Sequence, residues 1–181
     1  MAKDQNNLPI DKLHFLDESS VNCGMTRLYA RAKSGERVND YVPDVRFERT
    51  SIISVLATDG IKADETFKGT LNGEKFGEYV KNILAPNLEK DDILVLDNLS
   101  VHKVKGVLDP LFEKGIQVVF LPPYSSDFNP IELAWSKIKA FLRKTKARTF
   151  ENLKLALSDA IGTISLKDVF GWFKHCGYVQ Q

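Results

Sequence analysis

Ile93-Leu94-Val95-Leu96 holds no polar residue and ends on Asp97-Asn98. So short a run cannot make a helix, and it offers no polar side to water. It reads as a central strand covered on both faces. Gln117–Leu121 is a second buried strand, ended by Pro122-Pro123, which forces the chain to stay extended. Buried strands need helices over both faces, and the rest of the chain supplies them. Phe76, Tyr79, Val80, Ile83 and Leu84 form one apolar stripe of a helix over Glu74–Leu84, which Pro86 stops. A helix is predicted over Val101–Lys114, with Gly115 just past its end. Asp127 or Asn129 can cap the next helix, with Pro130 in its first turn and its end near Lys146. Thr149 can cap a further helix carrying Phe150, Leu153, Leu157, Ala160, Ile161 and Ile164. Ser165 and Asp168 form a capping box for a last one, ending at Gly177.

The N-terminal half reads differently. Leu13–Asp17, Arg27–Arg31, Thr50–Ala57 and Ile61–Phe67 carry strand signals, with Asp59-Gly60 as a turn, and together predict an antiparallel meander. Residues 1–12 are polar and expected to be loosely held, leaving 13–181 as one domain. The whole is α/β, a sheet with helices on both faces. No apolar stretch is long enough to span a membrane, and no secretory signal pattern is present. Cys23 and Cys176 are too few for a disulfide framework and fit reduced thiols in the cytoplasm.

Three acids stand at element boundaries beside apolar structure. Asp17 ends the first strand, Asp97 ends the central one, and Glu132 opens a helix, with 34 residues between the last two. Two strand-end aspartates and a helix-borne glutamate can converge on divalent metal. Mg²⁺ prefers hard oxygen ligands and keeps several waters, so two or three carboxylates suffice for it. Two such ions can supply both an activated water or hydroxyl and a stabilised leaving oxygen for phosphodiester cleavage. His102 and Lys103 follow Asp97 closely, placed to meet a phosphate or to support the metal site from behind. Dehalogenase-type phosphatase chemistry is excluded, because Asp17 is followed by Glu18-Ser19 and not by an aspartate two residues on.

Charge is unevenly spread. Residues 1–100 carry 13 Lys+Arg against 17 Asp+Glu, and residues 101–181 carry 12 against 7. The basic excess gathers in Lys137, Lys139, Arg143, Lys144, Lys146 and Arg148, with no acid among them, which suits a polyanion. At 100° per residue, Lys139 and Arg143 fall within about 40° of Glu132, and the stripe of Ile131, Trp135, Ile138 and Leu142 turns elsewhere. Cations in line with a metal-binding acid can track a DNA backbone beyond the cut.

These segments resemble the catalytic domain of DDE transposases, in particular mariner-related bacterial insertion-sequence transposases. The likeness lies in Asp17-Glu18-Ser19, in Leu96–Lys103, in the stretch from Leu121-Pro122-Pro123-Tyr124 to Asn129-Pro130-Ile131-Glu132, and in Trp135–Lys139. It runs from about Leu13 to Tyr178, and the Asp97–Glu132 interval is the one that group uses. The chain departs from the usual pattern at Ser126, where a proline is common, and at Ala30, where a glycine is.

The resemblance implies a ribonuclease-H-like fold, a five-stranded mixed sheet flanked by helices. It implies that Asp17, Asp97 and Glu132 bind two Mg²⁺ or Mn²⁺ ions, with Asn98 and Asn129 in support. His102, Lys103, Lys137, Lys139, Lys146 and Arg143 are expected to contact DNA. The implied reaction is cleavage at transposon ends and strand transfer into target DNA, with TA targets common. A homodimer or larger assembly on DNA is implied, in the bacterial cytoplasm at the nucleoid, with no membrane. Members of this group carry an N-terminal helix-turn-helix region that reads the terminal repeats; no counterpart is recognised before Leu13, so sequence-specific end recognition is expected to be missing. The alternative is a non-catalytic, inhibitory product that binds DNA or a full-length transposase. A ribonuclease or resolvase on the same fold fits the Asn129–Glu132 context less well.

Overall fold

The computed structural model describes residues 8–179. Five strands form one sheet in the order β3-β2-β1-β4-β5. β1 (Leu13–Val21), β2 (Thr50–Ala57) and β3 (Gly60–Lys68) are antiparallel neighbours. β4 (Ile93–Leu96) runs parallel to β1, and β5 (Gln117–Phe120) parallel to β4. The sheet is therefore mixed, as expected. The β2–β3 hairpin turns tightly at Thr58-Asp59, and Gly60 beyond it takes φ +127, a conformation that suits glycine.

Alternation along the central strands feeds two cores. Phe15 and Val95 point to one side, with α3 (Ile131–Thr145), α4 (Phe150–Gly162) and α5 (Leu166–His175). Leu16, Leu94 and Leu96 point to the other, with α1 (Gly73–Tyr79) and α2 (Asp109–Glu113). All four residues of β4 are buried, which accounts for its lack of polar side chains. Two predicted caps form: Thr149 accepts from Asn152 N–H, and Ser165 and Asp168 close a capping box.

The structure corrects several expectations. Arg27–Arg31 is not a strand; residues 22–49 hold neither strand nor helix, and Leu28 and Tyr29 are exposed. The segment follows β1 in the chain but cannot pair beside it, because β1 takes β2 and β4 as neighbours. The helix predicted over Val101–Lys114 is broken. A 3-10 turn spans Ser100–Lys103, and α2 begins only at Asp109. Gly106 between them has φ +80, and Pro110 cannot donate a backbone bond. α1 continues as a π turn over Val80–Leu84. Neither Asp127 nor Asn129 caps α3 with its side chain; Asp127 lies in a 3-10 turn, Pro130 occupies the cap position, and the Asn129 carbonyl accepts from Glu132 N–H. Of the segment 1–12, residues 1–7 lie outside the described residues, and Ile10–Lys12 forms a 3-10 turn.

Candidate active site

The β1–β4 register pairs Leu13 with Ile93, His14 with Leu94 and Phe15 with Val95. Carried two residues further, it sets Asp17 and Asp97 at matching heights on neighbouring strands. α3 packs on β1 and β2, which brings Glu132 in its first turn over the same end of the sheet. All three acids line one pocket of about 460 Å³, walled by the Leu121–Ser126 loop and by Asn98, Leu99 and Asn129. Asp17 is buried, Asp97 is half-exposed and Glu132 is exposed.

The aspartates sit in opposite electrostatic settings. Burial raises Asp17, the Glu132 charge raises it further and Asp97 adds to this, so its pKa reaches about 7. The opposing bonds, from Glu18 N–H and from Trp135 Nε1–H to Oδ2 at 3.1 Å, do not cancel the rise. Burial would raise Asp97 too. A bond from His102 and one from Leu99 N–H at 3.0 Å, with the charges of His102 and Lys103, hold it below the ordinary carboxylate range instead. Burial alone would lower His102; Asp97 and Glu18 reverse this and lift it to about 9.

The donor set suits a hard divalent cation. Asp17, pushed up to about 7 first by burial and then by the charges of Glu132 and Asp97, would be favoured in its charged form by a nearby cation. Asn129 is buried, and its side-chain oxygen has no partner. A buried acceptor left unpaired is costly, and it adds a neutral oxygen to the three acids. Among the described residues, no group of three or more His, Cys, Asp or Glu is already arranged to hold an ion. The acids share a pocket without forming a closed coordination shell.

The remaining predicted residues divide sharply. His102 is corrected as a DNA contact. Its side chain is completely buried, between Asp97 Oδ1 at 2.9 Å and Glu18 Oε1 at 3.4 Å. The latter is a charge pairing, since the two atoms do not meet hydrogen-bond geometry. Lys137 is engaged with Asp168 at 2.7 Å and the Thr163 carbonyl at 2.8 Å, and Lys146 with Asp40 at 2.6 Å, so neither is a free cation. Lys103 is exposed, with its ammonium 5.7 Å from the centre of the Phe120 ring. Lys139 and Arg143 stay together and line a hollow with Ser20–Asn22 and Gly24–Thr26. Asn98 donates from its amide to the Leu121 carbonyl, tying the β4 end to the strand beside it.

Two residues escaped the sequence reading. Trp135 stands out in the sequence only through the core stripe and the family-like Trp135–Lys139 segment, yet its indole N–H reaches Asp17. Glu18 was noted only as part of a motif. The available signals were the position of Trp135 three residues after Glu132, and the need of a buried indole N–H for a partner.

A search of curated protein sequences found no match. The family model of the DDE superfamily endonucleases matches residues 12–154. Among solved structures, the pre-cleavage Mos1 transpososome superposes with a TM-score of 0.77 at 16% identity, covering 98% of this chain and 56% of that one. The catalytic domain of Mos1 mariner transposase gives 0.72 at 16% identity, covering 98% of this chain and 83% of that one. The Mos1 mariner paired end complex with Mn gives 0.74 at 14% identity, covering 96% and 54%. The chain thus spans about half the length of the Mos1 chains in the DNA assemblies it resembles. With a family match over most of its residues and the ribonuclease-H-like fold of a transposase catalytic domain, the chain belongs to the DDE superfamily endonucleases.

Proposed function

We propose that the chain is a transposase catalytic domain that cuts DNA at transposon ends and transfers the cut strand to a target. The observation that carries this reading is the convergence of Asp17, Asp97 and Glu132 on one pocket, with Asp17 held up to about 7 by burial and its two neighbours. Asp17, Asp97 and Glu132 would hold the metal, two Mg²⁺ or Mn²⁺ ions, in keeping with a Mos1 relative solved with Mn. Bound there, two ions supply an activated water or hydroxyl and a stabilised leaving oxygen.

The chain's own residues bind and orient. Trp135 fixes the Asp17 carboxylate, and Asn129 offers an acceptor beside it. Lys139 and Arg143 track the DNA backbone along the α3 edge, and Lys103 adds a cation on the β4 side. DNA as substrate and a dimer or larger assembly on it agree with the paired-end and transpososome forms in which Mos1 was solved.

The test is nicking of DNA in Mg²⁺ or Mn²⁺, with Asp97→Asn alongside. Cutting that needs metal and disappears in the variant is the expected result; equal cutting by the variant would show that the site is elsewhere. Lys139→Ala and Arg143→Ala should weaken DNA binding across all sequences, each reducing the salt slope by about 1. Affinity unchanged at low salt would remove the basic edge from the reading.

The alternative is a non-catalytic, inhibitory role. Tight DNA binding without cleavage of a pre-nicked end in Mn²⁺ would favour it.

A further inference from the structure

The backbone ladder between β1 and β4 stops at Phe15–Val95. Asp17 and Asp97 lie two positions beyond it. β1 is still held there by β2, with Asp17 opposite Ser54. The β4 end is held on its far side by β5, through Leu121 N–H to the Leu96 carbonyl at 2.8 Å and through Asn98. Between the two acids themselves, no backbone pairing sets the distance. Neighbouring strands twist and diverge once their pairing ends.

One side chain closes that gap. His102 Nδ1 lies 2.9 Å from Asp97 Oδ1 and 3.3 Å from the Asp97 carbonyl. Its Nε2 lies 3.4 Å from Oε1 of Glu18, the residue after Asp17. Glu18 alternates to the face opposite Asp17, where the His102 ring packs on Phe76 with centroids 4.7 Å apart. The break in the helix predicted over Val101–Lys114 puts the ring there, because the 3-10 turn at Ser100–Lys103 folds it inward.

We propose that His102 is a latch between the two strand ends. It sets the separation of Asp17 and Asp97 and the rotation of the Asp97 carboxylate, and so is a positioning residue for the metal site. This rests on the reading of Asp17 and Asp97 as metal ligands. A ring that merely filled space against Phe76 could be replaced by any ring of similar size; a latch could not. Partners behind metal ligands are typically worth about 10–100-fold in metal affinity.

The test compares His102→Phe, which keeps a ring against Phe76, with His102→Asn, which can still donate to Asp97. Mn²⁺ binding is followed by calorimetry, and the pairing of the ions by the spin-coupled signal in electron paramagnetic resonance. The expected result is an affinity about 10–100-fold lower and no coupled signal in His102→Phe, with His102→Asn recovering only part of both, since it keeps the Asp97 leg and loses the Glu18 leg. A folded His102→Phe with wild-type affinity and coupling overturns the latch. If His102→Phe does not fold, Glu18→Ala decides: it removes the far leg and leaves the ring in place. Weakened binding then supports the latch, and unchanged binding overturns it. Asp97→Asn, measured alongside, separates the two levels of inference. If it too binds Mn²⁺ as the wild type does, the metal-site reading has failed; if it alone loses binding, only the latch has.

Discussion

The β1 end and the β4 end carry the same residue type at matching heights, yet they treat it in opposite ways. Asp17 is buried among core residues beside Trp135 and shares its pocket with Glu132, so its charged form is disfavoured. Asp97 lies outside the ladder, half-exposed, with His102, the Leu99 N–H and Lys103 favouring its charge. The difference teaches that a carboxylate pair need not be a pair electrostatically. One acid is held in its charged form, and the other carries an ionisation penalty that a nearby cation would relieve. An equivalence visible in the register is undone by the neighbours on each side.

The comparison breaks most completely if either acid proves dispensable. Asp17→Asn and Asp97→Asn should each lower metal-dependent cleavage by about 10³-fold or more, the equivalent of losing about 4 kcal/mol in the transition state. Single-turnover cutting of an oligonucleotide in Mn²⁺ measures both. Full activity in one variant would leave only the other as a ligand.

The two ends should next separate in their pH dependence. Asp17 has a folded value of about 7 against an ordinary 3.8, so the folded protein holds its proton more tightly than the unfolded chain does. Stability from this group is therefore fully present below about pH 4 and is lost as pH rises to about 7, by about 3–4 kcal/mol. Asp97, held below the ordinary range, acts with the opposite sign: its contribution is present above 3.8 and lost as pH falls through its lowered value. Metal-free Asp17→Asn should thus be more stable than the wild type at pH 8, with the gap narrowing by more than half at pH 5. Urea melts at the two pH values check this; a gap independent of pH would mean that Asp17 is not strained. Divalent ion should restore the wild type at pH 8 and leave Asp17→Asn nearly unmoved.

A smaller effect sharpens the β1 side. Trp135→Phe keeps an aromatic ring in the core but removes the indole N–H from Asp17 Oδ2. About 1–2 kcal/mol of stability should be lost, and the pH at which Mn²⁺ binding reaches half-strength should move upward, since one bond that favours the charged carboxylate is gone. A binding profile unchanged in pH would show that the indole only packs.

Much of this was legible in the sequence, for local reasons. The buried strands Ile93–Leu96 and Gln117–Leu121 lack the polar side that water would require. The helix of Glu132 carried its core stripe in plain 3.6-residue spacing, and the caps at Thr149 and Ser165 follow from side-chain geometry within three residues. The acids stood out because each closes or opens an element. Arg27–Arg31 misled because alternation alone cannot report whether a neighbouring strand exists. The Val101–Lys114 helix misled because Gly106 and Pro110 outweighed an otherwise apolar pattern.

The sequence by itself thus determined the sheet-and-helix architecture and the three acids, since local periodicity and chain-breaking residues suffice for both. Tertiary structure alone decided what surrounds them. His102 became a buried bridge instead of a surface cation because Glu18, far away in sequence, lies across from it. Lys137 and Lys146 were claimed by Asp168 and Asp40, and among the described residues Lys139 and Arg143 were not drawn into such ion pairs. Asp17 acquired its reluctance to ionise from burial and from Glu132. Charge state and pairing depend on distance through space, and in this molecule the deciding neighbours come from distant parts of the chain.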